Sequence, residues 1–314
     1  MNPRPPRPYP TRRPLVFLLP IAAAYGAAVE WLCGWRQLFA AWSALSWQLL
    51  LAFVAAMLAS YALRAWRLYL GAREALPAAA YASTLRLLWL HNAANLLLPA
   101  RLGELSLPWM LGRRFKLSWA HGGGLLAWLR VLDLHCVAAL ALAALALRLR
   151  HRLGPAWLTM AVSVALLPLA FHLLRAPLAA RLRAQPRWGE ALAAIPAGVP
   201  ALLRDLALTW LAWLLKLAVF AAVLQALAGA APAAALLGAI GGDASTLLPL
   251  HAPAGAGTFE AGVLAGLGDG VSGSALAAAV TLHLLLLGSA LGGALLALPE
   301  IPLLMQGRRD AANH

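Results

Sequence analysis

An all-α membrane bundle is the fold class this sequence predicts, and three observations predict it. Hydrophobic residues make up 62% of the 314 residues and charged residues 11%, with a mean hydropathy of +0.76. A soluble globule cannot cover its surface with so few polar groups. Apolar runs of about 20 residues, each long enough to cross a ~30 Å hydrocarbon core as a helix, recur along the chain. The period-2 alternation of a membrane β-barrel is missing.

The elements follow in order. The opening stretch MNPRPPRPYPTRRP is too rich in proline for a helix and is expected to be a disordered cytoplasmic tail over 1–14. With the apolar run after it, this tail looks like a signal peptide. Because the chain continues into further apolar segments, a retained first helix is expected instead. Full crossings are predicted over 15–33, 42–63, 118–147, 156–175, 206–228 and 274–298, about six in all. Two more apolar stretches, 78–112 and 232–268, are interrupted by proline and glycine and read as re-entrant helical hairpins. Their broken backbone must be buried against other helices or line a wet cavity. Eight or more full crossings is the alternative. The two hairpins enter from opposite sides, as an inverted pair would, and low identity between the halves leaves an inverted repeat open. This gives one transmembrane domain over 15–305 and a second cytoplasmic tail over 306–314.

The net charge of +14 comes almost entirely from arginine, since Lys116 and Lys216 are the two lysines. The charge flanks apolar segments, which points to positive-inside topology and anionic headgroups rather than to nucleic acid. The N-terminal tail, Arg64/Arg67/Arg73, Arg113/Arg114/Lys116, Arg175 to Arg187 and Arg308/Arg309 share one side if the broken segments are re-entrant. That side is the cytoplasm, so both termini are expected there. RLRHR at 148–152 is the exception, and 187–205 is too short and proline-broken to span, so it reads as an interfacial connector. Cys33 and Cys136 stand in separate apolar segments without a CxxC, and no histidines have metal-ligand spacing. No metal and no cofactor are predicted.

Polar residues at membrane depth are the informative ones, because each charge costs about 2.5–3.5 kcal/mol to insert. In LLPARLGE, at 97–104, the chain turns at Pro99, and Arg101 and Glu104 sit three apart on one helix face. His91, Asn92 and Asn95 lie on the incoming arm. The second break, GGDASTLLPLHAPAGAGTFEAG, carries Asp243, Pro249, His251, Pro253, Gly255, Gly257 and Glu260. Arg130 and Asp133 are three apart in one predicted span, and Lys216 lies mid-span with no neighbour in sequence to neutralise it. Its partner must come from another helix or a ligand. His283 is in the last span. HGGG at 121–124 lacks the GxSxG elbow of a hydrolase, so its glycines are read as close-packing residues, like the pairs Gly262/Gly266 and Gly288/Gly292.

Three segments together carry a family resemblance. NLLLPARLGELSLPWMLGRR is similar to the first signature of the membrane domain of lysylphosphatidylglycerol synthases, typically N-x-x-x-P-x-R-x-G-E; LRVLDLHCVAAL resembles its R-x-x-D helix, and LPLHAPAGAGTFEAG its late P-x-G-x-G-x-x-E segment. The resemblance implies a lipid translocator of the flippase type in a bacterial inner membrane, without the soluble synthase domain and so without its aminoacyl transfer. In place of an arginine frequent in the last helix of that family, this chain has TLHLLLL with His283.

The expected substrate is a membrane lipid with an anionic phosphate, a phospholipid or a polyprenyl-linked lipid, and a homodimer is allowed. Arg101, Arg130 and Lys216 would hold the phosphate, and Glu104, Asp133, Asp243 and Glu260 would balance these cations. Asn92, Asn95 and His283 complete the expected set, with Arg101 and Glu260 lining one cavity. The rival readings are a lipid-modifying transferase within the membrane and a small-solute secondary transporter.

Overall fold

A computed structural model describes residues 23–31, 33–73, 76–77, 79–149, 154–182, 185–245, 253–268 and 273–310. The described residues form helices and no strand. After a helix over 23–31 (α1) come α2 (Trp35–Trp42), α3 (Trp47–Gly71), α4 (Tyr81–Leu97), a 3-10 turn (Pro99–Leu105) and α5 (Ser106–Phe115). The chain continues through α6 (Trp119–Leu149), α7 (Pro155–Arg181), α8 (Pro186–Ala193), α9 (Val199–Ala228) and α10 (Pro232–Ser245). It closes with a 3-10 turn (Pro253–Gly255), α11 (Thr258–Leu267), α12 (Gly273–Leu296) and α13 (Glu300–Asp310).

Among the described residues, α3, α6, α7, α9 and α12 are long and apolar enough to cross a membrane. They match five of the six predicted crossings. The sixth, 15–33, falls partly outside the described residues, as do the tail over 1–14, the loop residues 150–152, and Pro249 and His251. The chain is an integral, all-helical membrane protein.

Two boundaries differ instructively from expectation. The predicted crossing over 42–63 is α3, which runs on to Gly71 and carries Arg64 and Arg67 inside the bundle rather than at its edge. These two arginines therefore do not count as flanking charges. At the other end, α13 continues to Asp310, so residues 306–310 of the expected tail are helical. Asp205, grouped with the connector by sequence, belongs to α9 and is buried, taking the Trp128 indole N–H at 3.2 Å.

Both broken stretches are antiparallel helical hairpins. In the first, Ser83 faces Arg114, His91 faces Ser106, and Asn95 lies against Gly103, so α5 retraces α4 in register. In the second, Leu237 lies against Gly266, Gly241 against Gly262 and Gly242 against Phe259. Glycine is required at that contact: a Cβ on Gly241 would sit 2.1 Å from the Gly262 carbonyl oxygen, and one on Gly262 2.3 Å from that of Gly241. The two 3-10 turns pack against each other, so the hairpins meet tip to tip.

The other predicted packing glycines divide. Gly122 touches Pro108 and Gly124 would strike Ala191 of α8, whereas Cβ atoms at Gly123, Gly288 and Gly292 meet nothing within 4 Å. Gly293, not its neighbour, carries the close contact in α12, against Trp89. Arg148, the start of the misfit basic loop, donates to the Gly266 carbonyl at 3.1 Å. A cation at the carbonyl end of α11 complements its dipole, which accounts for that arginine without an external partner.

The main core joins α3, α6, α9, α10, α11 and α12, with Phe53 stacked on Phe220 at 5.7 Å between α3 and α9. In α7, Pro168 removes the N–H that would serve the Val164 carbonyl. His135 of α6 supplies a donor instead, with Nδ1 at 2.7 Å from that oxygen.

Candidate functional site

A cavity of about 390 Å³ lies between the two hairpins. Tyr61 and Arg64 of α3, Asn92 and Asn95 of α4, Glu104 of the first 3-10 turn, and Arg130 and Asp133 of α6 line it. Trp213 and Lys216 of α9 and Asp243 of α10 complete its polar wall, while Leu96, Leu134, Val137, Leu286 and Ala290 form an apolar side. Leu134 is the midpoint of the 31-residue α6 and is 54% exposed. The cavity therefore reaches the outer face of the bundle at the middle of a crossing.

The charges are held from several helices. Arg130 clasps Glu104, with Nη2 at 2.8 Å from Oε1 and Nε at 3.1 Å from Oε2, and also reaches Asp133 at 3.2 Å. Asp133 further takes Arg67 Nη2 at 3.0 Å and the Trp213 indole N–H at 3.1 Å. Arg67 donates its second N–H group to Thr209. The partner that Lys216 demanded is Asp243, at 2.6 Å. His91 links Ser106 (2.9 Å) to Asn95 (3.1 Å), and Asn95 donates to Glu104 at 3.3 Å, which fastens the returning chain to α4.

Arg64 is different. Its guanidinium lies 4.4 Å from the centre of the Trp213 ring, and its Nε and Nη2 are buried with no hydrogen-bond partner among the described residues. Asn92 Nδ2 and Asn95 Oδ1 are similarly orphaned on the same cavity. Buried donors without partners cost about 1–3 kcal/mol each, so three donors on residues that line one cavity are left unsatisfied. Among the described residues, four cations (Arg64, Arg67, Arg130, Lys216) stand here against three acids (Glu104, Asp133, Asp243). The surplus is positive.

Seven of the ten predicted site residues line this cavity: Asn92, Asn95, Glu104, Arg130, Asp133, Lys216 and Asp243. The side chain of Arg101 lies outside the described residues. Glu260 and His283 do not line this cavity, and the expected pairing of Glu260 with Arg101 falls on a side chain outside the described residues. Glu260 turns toward α1 and α12, where it meets Tyr25 (2.5 Å) and His283 (2.7 Å). Arg64, Arg67 and Trp213 were missed. The signal available was their spacing: Arg64 and Arg67 are three apart, as are Trp213 and Lys216, so each pair shares one helix face.

Residues 17–292 match the family described as the lysylphosphatidylglycerol synthase transmembrane region, and the chain belongs to that family. Neither the curated proteins nor the solved structures contain a match. Membership places the chain among membrane proteins of lipid metabolism and transport.

Proposed function

We propose that this protein is a lipid translocator in which the cavity between the hairpins receives the phosphate-bearing headgroup while the acyl or prenyl chains stay in the bilayer. The observation that carries the reading is the sideways reach of a charged cavity to an exposed leucine at the middle of α6. A small solute needs no such opening, whereas a lipid must keep its tail in hydrocarbon as its head changes leaflet. Orphaned donors of Arg64 and Asn92 suit phosphate oxygens, and arginine offers them a planar fork. Glu104, Asp133 and Asp243 already neutralise Arg130 and Lys216. Arg64 therefore replaces those two as the first phosphate ligand.

In this reading the basic ends Arg113/Arg114/Lys116 and Arg175 to Arg187 face the cytoplasm of a bacterial inner membrane, and the first hairpin enters from that side. The family contributes the lipid context, and no group-transfer step is invoked. The test is movement of a fluorescent phospholipid between leaflets of proteoliposomes. Wild type should exceed empty vesicles, and Arg64→Gln should slow movement about 10- to 100-fold, the loss of charge-assisted bonds. Leu134→Trp, which narrows the lateral opening without touching a charge, should slow it as well. Uptake of soluble solutes with no lipid movement, or full rates in both variants, would overturn the reading.

A further inference from the structure

Away from the cavity, the tip of the second hairpin is tied down by one imidazole. His283 Nδ1 lies 2.7 Å from Glu260 Oε1, and its Nε2 lies 2.7 Å from the Ala254 carbonyl oxygen. Glu260 also accepts the Tyr25 hydroxyl on Oε1 and, on Oε2, the Gly257 N–H at 2.9 Å, closing the start of α11. The Phe259 ring stacks on the imidazole at 4.7 Å.

The proton count is decisive. A carbonyl oxygen only accepts, so Nε2 must carry a hydrogen toward Ala254. The Nδ1 to Glu260 contact needs a second proton, on the ring or on the carboxyl. Without it, either the Nε2 lone pair faces the Ala254 carbonyl, or the Nδ1 lone pair faces the carboxylate with only the Tyr25 hydroxyl, 3.3 Å away, to donate to it. One of the two ties then breaks.

Among the described residues, no other charge replaces that proton. Of the elements packed around His283, α1 supplies Tyr25 and α11 supplies Glu260, while α2 meets α12 through Trp42 and Thr281. Cys33 sits in the apolar cluster with Leu276, Ala277 and Val280. From α4 and α9 the neighbours of α12 include Trp89 and Phe220. Among the described residues, Glu260 forms no ion pair with lysine or arginine.

What the imidazole holds is a wound backbone. Ala254 has φ 58°, a left-handed conformation that costs a residue with a Cβ, and Gly255 and Gly257 follow at 74° and 78°. This turn packs on α4 and on the tip of the first hairpin. Freed from His283, it has reason to unwind, and the contact between the tips goes with it.

We propose that His283, with Glu260, is a proton-binding site that latches the tip of the second hairpin, so that opening of the tip releases one proton. Within the translocator reading, on which this consequence rests, proton binding is the energetic link to lipid movement. The latch is testable without transport.

A single cysteine, Ala256→Cys, in full-length protein with Cys33 and Cys136 changed to serine, reports the tip through its rate of modification by a thiol reagent in nanodiscs. After correction for the thiolate fraction measured on a cysteine in the exposed connector, at Gly189, the rate should rise with pH by up to about tenfold per unit, the slope of one proton. His283→Gln keeps the side-chain amide bonding but does not titrate, and should flatten that slope. Ala254→Gly, which relieves the strain and keeps the pair, should slow modification at every pH. An unchanged slope in His283→Gln, or an Nε2 found bare by nitrogen NMR while the tip is closed, would overturn the latch. Should the slope behave as stated while no lipid moves at any pH, the latch stands and the translocator reading falls.

Discussion

Asp133→Asn tests the buried charge network most directly. The native carboxylate is 9% exposed and meets Arg67, itself 3% exposed, at 3.0 Å, with Arg130 and Trp213 on its remaining lone pairs. An asparagine keeps the shape and one acceptor but leaves Arg67 without a counter-charge in the middle of the bundle, and raises the local cation surplus from one to two. Removing one partner of a buried pair costs about 3–5 kcal/mol, or about a hundred- to several-thousand-fold in the unfolding equilibrium at 1.4 kcal/mol per decade. Equilibrium unfolding in mixed micelles at graded SDS measures it. Arg67→Met with Asp133→Leu removes both charges of the pair, and should recover at least about half of the loss, because paired apolar replacements of a buried ion pair are commonly neutral or better. A single-variant loss below about 1 kcal/mol, or a double variant as weak as the single, would refute the placement of these charges.

The glycine contacts predict a contrast within one protein: Gly262→Val, which meets the Gly241 carbonyl, should destabilise by about 1–3 kcal/mol or more in the same assay, whereas Gly288→Ala with Gly292→Ala should stay within about 0.5 kcal/mol. His135→Leu should cost about 1–2 kcal/mol by stranding the Val164 carbonyl, and Pro168→Ala, which restores the helical N–H, should remove most of that cost in a double-mutant cycle.

The hairpins were legible because proline and glycine break an apolar run where nothing else does, and the bounds 78–112 and 232–268 lie within three residues of the observed arms. Charges such as Glu104, Arg130 and Lys216 were legible as costs that demand partners. Arg64 and Arg67 were not, since an arginine after an apolar run looks the same whether it marks the membrane surface or continues inward to a distant Asp133. Nor could the sequence assign Glu260. Helices α11 and α12 are apolar on every face, so periodicity carries no information on their rotation, and only the fold turns Glu260 toward His283 and away from Asp243.

Glu300, fully enclosed at the start of α13, receives Arg114 of α5 at 2.6 Å and Arg86 of α4 at 3.6 Å. One carboxylate near the end of the chain thus grips both arms of a hairpin made nearly 190 residues earlier. During synthesis the first hairpin must enter the membrane with these two arginines still awaiting that acid. Its open end becomes a fixed pivot only after α13 has emerged and docked. Assembly of that hairpin therefore finishes with the docking of α13, whose carboxylate ties its open end, while Arg130 on Glu104 and the second 3-10 turn hold its tip.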